Sequence, residues 1–223
     1  MAAQFKNLVT EIDTTGSNQT LLTCPTGKTI IIRTFHVANE DGSNSAYFAT
    51  VADSSINAAA RPIFEFAITA DATATNRNPI VLESGDSFGI QTSQANQHVH
   101  LAYVILDTGT IQRYRGVCIQ AETANTTNNI VTCPTGSTVI LNYFTMYNHS
   151  GGDSTDNRIE IVDSSTSTTK TVTDGQILDN KNAGFTQAFV LESGDQINVY
   201  IDDQPMVIYC SYLEIRNPII RGQ

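Results

Sequence analysis

Short apolar stretches separated by polar turns run along the whole chain. Residues 8–12, 29–37 and 46–52 are apolar or β-branched runs, and the turn signal Asn39-Glu40-Asp41-Gly42 separates two of them. Runs of this length between Gly, Asn, Asp and Pro clusters are typical of β-strands, and no convincing amphipathic helix is visible outside residues 55–60. The pattern predicts an all-β fold with seven or eight strands in each half of the chain.

The two halves are copies of each other. The segment Thr-Cys-Pro-Thr-Gly at 23–27 recurs at 132–136, and Val-Leu-Glu-Ser-Gly-Asp at 81–86 recurs at 190–195, both 109 positions later. Residues 51–55 match residues 161–165 at a displacement of 110, one position more than the other motifs. A one-residue insertion in a surface loop explains this difference. A period of this length matches a small domain rather than a solenoid repeat.

The repeat therefore predicts two tandem homologous antiparallel β-sandwich domains, of jelly-roll or immunoglobulin-like topology. The first covers 1–106 and the second 117–223, with a short connector at 107–116. Strand number and spacing fit both topologies, so the choice between them stays open at this point.

The repeated motifs are predicted to be tight turns of the scaffold. Glycine reaches positive φ without a Cβ clash, and Asp tolerates such turns better than most residues. The predicted turn residues are Pro25, Gly27, Gly85, Asp86, Pro134, Gly136, Gly194 and Asp195.

Charge and composition exclude several kinds of partner. The chain has 12 basic and 22 acidic side chains and a formal net charge of −10. Nucleic acids and anionic membrane surfaces are bound through clustered Lys and Arg, so neither is expected as a partner. The 29 Thr, 18 Asn and 16 Ser suit strands with polar turns.

No motif for catalysis or for a cofactor was found. Gly-x-Ser-x-Gly, the phosphate-binding loop and the dinucleotide-binding glycine pattern are all missing. The four cysteines form neither a Cys-x-x-Cys pair nor a disulfide framework, and buried free thiols are expected. We therefore expect a chain that is not an enzyme and that holds neither a cofactor nor a metal.

Two histidines on the last predicted strand of the first domain mark a candidate interface. His98 and His100 alternate with Val99 and Leu101, and the second copy has Val207 and Tyr209 at the histidine positions. Because the intervening residues are apolar in both copies, they are expected to face the core. The outer face would then carry imidazole, Val and Tyr, which indicates cover by another domain or subunit, with a zinc site as the alternative.

Two further regions have candidate partners. Arg113 and Arg115 in the connector are candidates for ion pairs at a domain or subunit interface, the alternative being a solvated linker. The loop 151–157 and the pair Asp202-Asp203 offer oxygen ligands of the kind calcium prefers, the alternative being a solvated acidic loop.

The repeated motifs also carry a resemblance to a known class of protein. Residues 23–35 and 80–90, with their copies at 132–144 and 189–199, resemble accessory virion proteins of tailed bacteriophages, particularly marine and cyanobacterial phages. The resemblance implies a structural protein that decorates the capsid or is attached at the head, neck or tail, made in the host cytoplasm and located in the virion. Its partners would be capsid, portal, neck or tail proteins and further copies of itself, with a trimer as one candidate oligomer.

A second function remains open beside that one. A tail or fibre module that recognises host-surface glycans would use exposed aromatic platforms, for which Tyr47, Phe48, Tyr114, Tyr143 and Tyr147 are candidates. Aromatic residues in strands are more often part of the core, and the chain has no Trp, a residue well suited to stacking on sugars.

Overall fold

The structure is a computed structural model that describes residues 3–56, 59–109, 111–186 and 188–217. It divides into two compact units, Met1–Thr108 and Gly109–Gln223. Within its described residues, the first unit has nine strands and a short 3₁₀ helix, Ser54–Ile56. Its strands are β1 Ala3–Ile12, β2 Gln19–Thr23, β3 Lys28–Asn39, β4 Ser45–Ala52, β5 Arg61–Ile68, β6 Thr73–Asn76, β7 Ile80–Leu82, β8 Ser87–Thr92 and β9 Gln97–Asp107.

The strands of the first unit form two antiparallel sheets. One has the order β1-β9-β3-β6, with β7 also paired to β3, and the other has the order β2-β8-β4-β5. Successive strands of the chain repeatedly change sheet, and the first and last strands are neighbours. This is the jelly-roll arrangement, so the topology decides between the two alternatives that the sequence left open.

The second unit repeats the arrangement. Its sheets have the orders β10-β18-β12-β15, with β16 paired to β12, and β11-β17-β13-β14. The strands are β10 Gln112–Ala121, β11 Thr126–Thr132, β12 Ser137–Asn148, β13 Ser154–Asp163, β14 Thr168–Ile177, β15 Asn182–Phe185, β16 Phe189–Leu191, β17 Gln196–Ile201 and β18 Met206–Arg216.

The repeat extends to irregularities of the strands. The pairing of β3 with β9 shifts between Ile32 and Thr34, and the pairing of β12 with β18 shifts between Leu141 and Tyr143, 109 positions later. A β-bulge bends its strand and is a built-in feature of a fold rather than a defect. The all-β fold with two homologous antiparallel sandwiches, predicted from the sequence, is confirmed.

Each unit has its core between its two sheets. In the first unit Ile30, Ile32 and Phe35 on β3 are almost completely buried, and the second unit buries Val139, Leu141 and Phe144 at the corresponding positions of β12. Alternate residues of a strand face opposite sides of the sheet, with a change of phase at the bulge, which explains the spacing of these side chains.

The segment predicted as a connector is partly a strand. Asp107 is the last residue of β9, and β10 begins at Gln112, so residues 112–116 are paired with β18. Thr110 lies outside the described residues. Within the described part of the chain, no helix is long and apolar enough to cross a membrane.

Candidate interaction surface

The turn residues predicted from the repeat come together in space within each unit. The Cys24 N–H donates to the Asp86 carbonyl at 2.8 Å, and the Gly85 N–H donates to the Cys24 carbonyl at 2.9 Å. The Gly27 N–H reaches the Ser84 hydroxyl at 3.3 Å. The turn from Pro25 to Gly27 is thereby joined to the turn that precedes β8.

The Asp86 side chain connects this pair of turns to the 3₁₀ helix that follows β4. One carboxylate oxygen accepts hydrogen bonds from the Ser54 N–H and hydroxyl, both at 2.9 Å, and the other accepts the Glu83 N–H at 2.8 Å. Burial raises the pKa of the Asp86 carboxyl above its ordinary value, against these hydrogen bonds, which favour the charged form. The carboxylate is fully engaged in holding the scaffold.

The second unit has the same arrangement. Asp195 accepts hydrogen bonds from the Ser164 N–H at 2.9 Å, the Ser164 hydroxyl at 3.0 Å and the Glu192 N–H at 3.0 Å. The turn that begins at Pro134 is joined to it through Cys133, whose N–H donates to the Asp195 carbonyl at 2.8 Å. Gly27, Gly85, Gly136 and Gly194 all have positive φ, between 72° and 92°.

His98 and His100 lie on the outer face of the sheet that contains β1, β9 and β3. His100 is directly opposite Val9 of β1 on one side and His36 of β3 on the other. The imidazole of His98 is 3.4 Å from the Glu40 carboxylate. Among the described residues, no group of three or more His, Cys, Asp or Glu side chains has the geometry to hold a metal ion.

Val207 and Tyr209 occupy the corresponding face of the second unit, and there the environment differs. Both are buried, at 1% and 0% exposure, although Ile208 and Cys210 between them belong to the core of the unit. The Tyr209 ring lies 6.1 Å from that of Tyr143. Equivalent strands therefore present a buried apolar face in the second unit and a half-exposed imidazole face in the first.

The two connector arginines have partners within the second unit. Arg113 donates to the Gly109 carbonyl at 2.9 Å, and the Arg115 guanidinium is 3.4 Å from the Glu214 carboxylate. Arg216 approaches the same carboxylate at 3.5 Å. Glu214 is almost completely buried, so its contacts with Arg115 and Arg216 help to hold the end of the β10-β18 pair together.

Three of the five aromatic residues considered as sugar platforms are not on the surface. Tyr47, Tyr143 and Tyr147 are buried, and Tyr47 donates its hydroxyl hydrogen to Gln97. Phe48 and Tyr114 are half-buried. The expectation that Tyr47, Tyr143 and Tyr147 could form an exposed binding platform is wrong, because all three are buried. Tyr47 stacks on Phe66, whereas Tyr143 and Tyr147 lie on the same outer face as Tyr209 and Val207.

The acidic pair considered for calcium is engaged with donors. Asp202 accepts hydrogen bonds from the Ser154 hydroxyl, from the Thr155 hydroxyl at 2.6 Å and from the Asp156 N–H at 2.8 Å. A carboxylate surrounded by N–H and O–H donors stabilises the start of β13 and does not offer its oxygens to a cation.

Sequence reasoning missed the two apolar side chains that are most exposed among the described residues. Phe5 and Val9 are 85% and 67% exposed, and both lie on the outer face of β1, an edge strand of ten residues. We call the outer side of this strand, with Phe5, Asn7, Val9 and Glu11, the β1 edge. An apolar residue in a strand looks the same in sequence whether it faces a core or solvent. No local signal could therefore have shown that Phe5 and Val9 are exposed.

The β1 edge combines exposed apolar side chains with the free side of a strand. The outer edge of a sheet carries unpaired N–H and C=O groups that can pair with a strand of another chain. Proteins that stay monomeric protect such edges with Pro, bulges, short strands or charged side chains, and of these β1 has the charged residues Lys6 and Glu11. Within its described residues β1 has no Pro, and it pairs with β9 over ten consecutive positions without a register shift.

Comparisons with known proteins identify relatives of the fold only. No protein-family model and no curated protein matches the sequence. Similar solved structures include the major capsid protein of Sulfolobus Turreted Icosahedral Virus, at 8% identity and a TM-score of 0.39 over 97% of both chains. The CBM22-1-CBM22-2 tandem domain of Paenibacillus barcinonensis Xyn10C is similar at 10% identity and a TM-score of 0.29, over 96% of this chain and 92% of that one.

A third similar structure corrects one prediction from the sequence. PNGase F, a glycosylasparaginase from Flavobacterium meningosepticum, is similar at 11% identity and a TM-score of 0.43 over 96% of both chains. The prediction that the chain is not an enzyme is contradicted by this finding, because the similar structures include an enzyme. At this level of similarity the likeness concerns the fold and assigns no activity to the chain.

Proposed function

We propose that the chain is a structural component of a virus particle, attached to its neighbours through the β1 edge. The observation that carries the proposal is the exposure of Phe5 and Val9 on a ten-residue edge strand. Large exposed apolar side chains beside unpaired backbone groups indicate a surface that is covered in the working assembly. The repeated turn motifs resemble those of accessory proteins of tailed phages, which supports a virion as that assembly.

The partner strand can come from a second copy or from another virion protein. Antiparallel pairing of two β1 strands would give a two-fold dimer, whereas a head-to-tail contact of β1 with a different strand would give a ring such as a trimer if the rotation closes. In either case Phe5 and Val9 would be buried beside a newly paired strand. The net charge of −10 limits association with the nucleic acid of the particle.

The test combines self-association with binding to particles. The full chain is studied by analytical ultracentrifugation and by co-sedimentation with purified tailed-phage particles, as wild type and as Phe5→Lys/Val9→Lys. We expect wild type to associate with itself or to pellet with particles, and the double variant to lose that association. Val190→Lys is the matched control, because Val190 is 61% exposed but lies on a different strand, β16.

Two results would contradict the proposal. One is a wild-type chain that stays monomeric and does not pellet with any particle tested. The other is association that the β1 variant leaves unchanged, or that Val190→Lys removes equally.

A further inference from the structure

The two units differ in how the space between their sheets is filled. In the first unit Tyr47 on β4 stacks on Phe66 of β5, with ring centroids 5.2 Å apart. Phe64 and Phe66 also contact Phe35 of the opposite sheet, at 6.1 and 5.8 Å. These aromatic rings close the side of the sandwich at which β5 and β6 are the edge strands.

The strand register identifies the corresponding positions in the second unit. Tyr47 is opposite Phe66 and Ala49 is opposite Phe64, while Asn157 is opposite Gly175 and Ile159 is opposite Thr173. The strands on the other side of β4 and β13 show that Ala49 corresponds to Ile159. Ala49 pairs with Ile90 of β8, and Ile159 pairs with Val199 of β17, which lies 109 positions after Ile90. Three aromatic side chains of the first unit are thus replaced by Asn157, Thr173 and Gly175.

The smaller residues leave a cleft in the second unit. It has a volume of about 530 Å³ and is lined by residues of β12, β13, β14, β15 and β16, including Asn157, Thr173 and Gly175. A volume of this size is within the range of roughly 300 to 1,000 Å³ that is typical of small-molecule sites. Asn157 donates to the Gly175 carbonyl at 3.2 Å, so the floor is held in place by a hydrogen bond.

On the opposite wall of the cleft, the second unit has larger, aromatic residues than the first unit. Phe185 and Phe189 line it, where the first unit has Asn76 and Ile80, 109 positions earlier. Phe185 stacks on Phe144 at 5.3 Å and meets Phe189 edge to face at 4.9 Å, and both Phe185 and Phe189 are half-exposed. The cleft therefore has one aromatic wall and one wall with amide, hydroxyl and backbone groups.

The geometry points to a binding site for a neutral saccharide in this cleft. A pyranose ring has an apolar C–H face, which suits an aromatic wall with its negative π-face, and a rim of hydroxyls, which suits a wall of hydrogen-bonding groups. Thr173, Gln176 and Thr186 supply such groups at the opening. Among the described lining residues the one ionisable side chain is Asp174, so nothing there would pair with an anionic sugar.

Saccharide binding is tested with the full chain by saturation-transfer difference NMR. The probes are maltose, cellobiose and chitobiose, with indole as an apolar probe of similar size. We expect saturation transfer to the C–H protons of at least one disaccharide. Transfer to indole alone would overturn the saccharide assignment, and no transfer to any probe would overturn the site.

The deciding variant restores the aromatic filling of the first unit. Thr173→Phe/Gly175→Phe puts Phe at the positions equivalent to Phe64 and Phe66, and a Cβ on Gly175 meets no atom within 4 Å. We expect this variant to melt no lower than wild type and to lose disaccharide binding by at least tenfold. The control Thr169→Phe adds an aromatic ring to an exposed position of β14 outside the cleft and should bind as wild type does.

A second variant keeps the proposal testable if Thr173→Phe/Gly175→Phe does not fold. Phe185→Ala removes one of the two rings of the aromatic wall, the one that packs on both Phe144 and Phe189, and should weaken disaccharide binding by about tenfold or more while the melting transition is still present. Binding that survives both changes would place the saccharide elsewhere and refute the proposal. The result is independent of the proposed function, which depends on the β1 edge of the other unit.

Discussion

The hydroxyl oxygen of Ser54 lies 2.8 Å from the position that a Cβ on Gly85 would occupy, and Ser164 stands in the same relation to Gly194, also at 2.8 Å. Both glycines have a φ near +91°, a conformation that side chains with a Cβ rarely adopt. The two restrictions act together at each turn. They explain why glycine occupies this position in both copies of the motif.

Replacing Gly194 by Ala is expected to destabilise the second unit by about 1 to 3 kcal/mol, because it combines backbone strain with the clash against Ser164. Gly136→Ala is the matched control. Gly136 also has a positive φ, +74°, but its Cβ would meet no atom within 4 Å, so it carries the backbone strain alone. Urea denaturation followed by circular dichroism should show the larger loss for Gly194→Ala, and equal losses would refute the role of the serine contact.

Truncating the Asp86 carboxylate should also lower the free energy of unfolding. Asp86→Ala leaves the Ser54 and Glu83 N–H donors without their acceptor, and an unsatisfied buried donor costs about 1 to 3 kcal/mol. Asp195 is less buried, so water can replace its carboxylate more easily and Asp195→Ala should cost less. Thermal melts of both variants, with the exposed Asp13→Ala for comparison, test this order. A smaller shift for Asp86→Ala than for Asp195→Ala would contradict it.

The sequence was sufficient for those features that depend on local chemistry. The turns need glycine at positive φ and a carboxylate that accepts backbone donors, so Gly85-Asp86 and Gly194-Asp195 could be recognised as repeated scaffold elements. Alternation along β9 correctly separates Val99 and Leu101, which are buried, from His98 and His100, which are half-exposed.

The sequence was insufficient where the answer depends on which strands are neighbours. Alternation along a strand identifies its two faces but not the adjacent strand, so jelly-roll and immunoglobulin-like topologies could not be separated. For the same reason there was no indication in the sequence that Phe5 is exposed. The cleft beside Phe185 depends on the strand register that makes Gly175 the counterpart of Phe66, and this register cannot be read from the sequence.

Acidification should weaken the second unit through Asp202. Burial of this carboxyl acts to raise its pKa, but the hydrogen bonds from the Ser154 and Thr155 hydroxyls and from the backbone outweigh it and lower the pKa. With a folded pKa below the unfolded value, the charged form stabilises the fold above about pH 4, and that contribution is lost as the pH falls through the folded pKa.

Asp202→Asn therefore should be less stable than wild type at pH 7, and the difference should shrink as the pH falls from 4 towards 2. Melting temperatures measured across this range test the prediction. Asp13→Asn in the first unit serves as the control for the loss of one negative charge. A difference between Asp202→Asn and wild type that stays constant, or that widens below pH 4, would show that the carboxylate does not act in this way.

The cysteines should be inert while the chain is folded. Cys24, Cys118, Cys133 and Cys210 are buried free thiols. Burial raises the pKa of Cys24 to about 11, and it also raises the pKa of Cys133 and Cys210. Since the thiolate is the reactive form, at pH 8 only about 0.1% of Cys24 would be in that form.

Reaction with Ellman's reagent at pH 8 tests this directly. The native chain should release less than one thiol equivalent per chain on a timescale of minutes, and four equivalents should appear in guanidinium chloride. Val190→Cys, which puts a thiol at an exposed position of β16 away from the β1 edge, should add one fast equivalent to the native chain and so show that the assay detects an accessible thiol. Fast reaction of the wild-type chain would mean that one of its strands opens readily, because a thiol held at the observed burial cannot meet the reagent without such an opening.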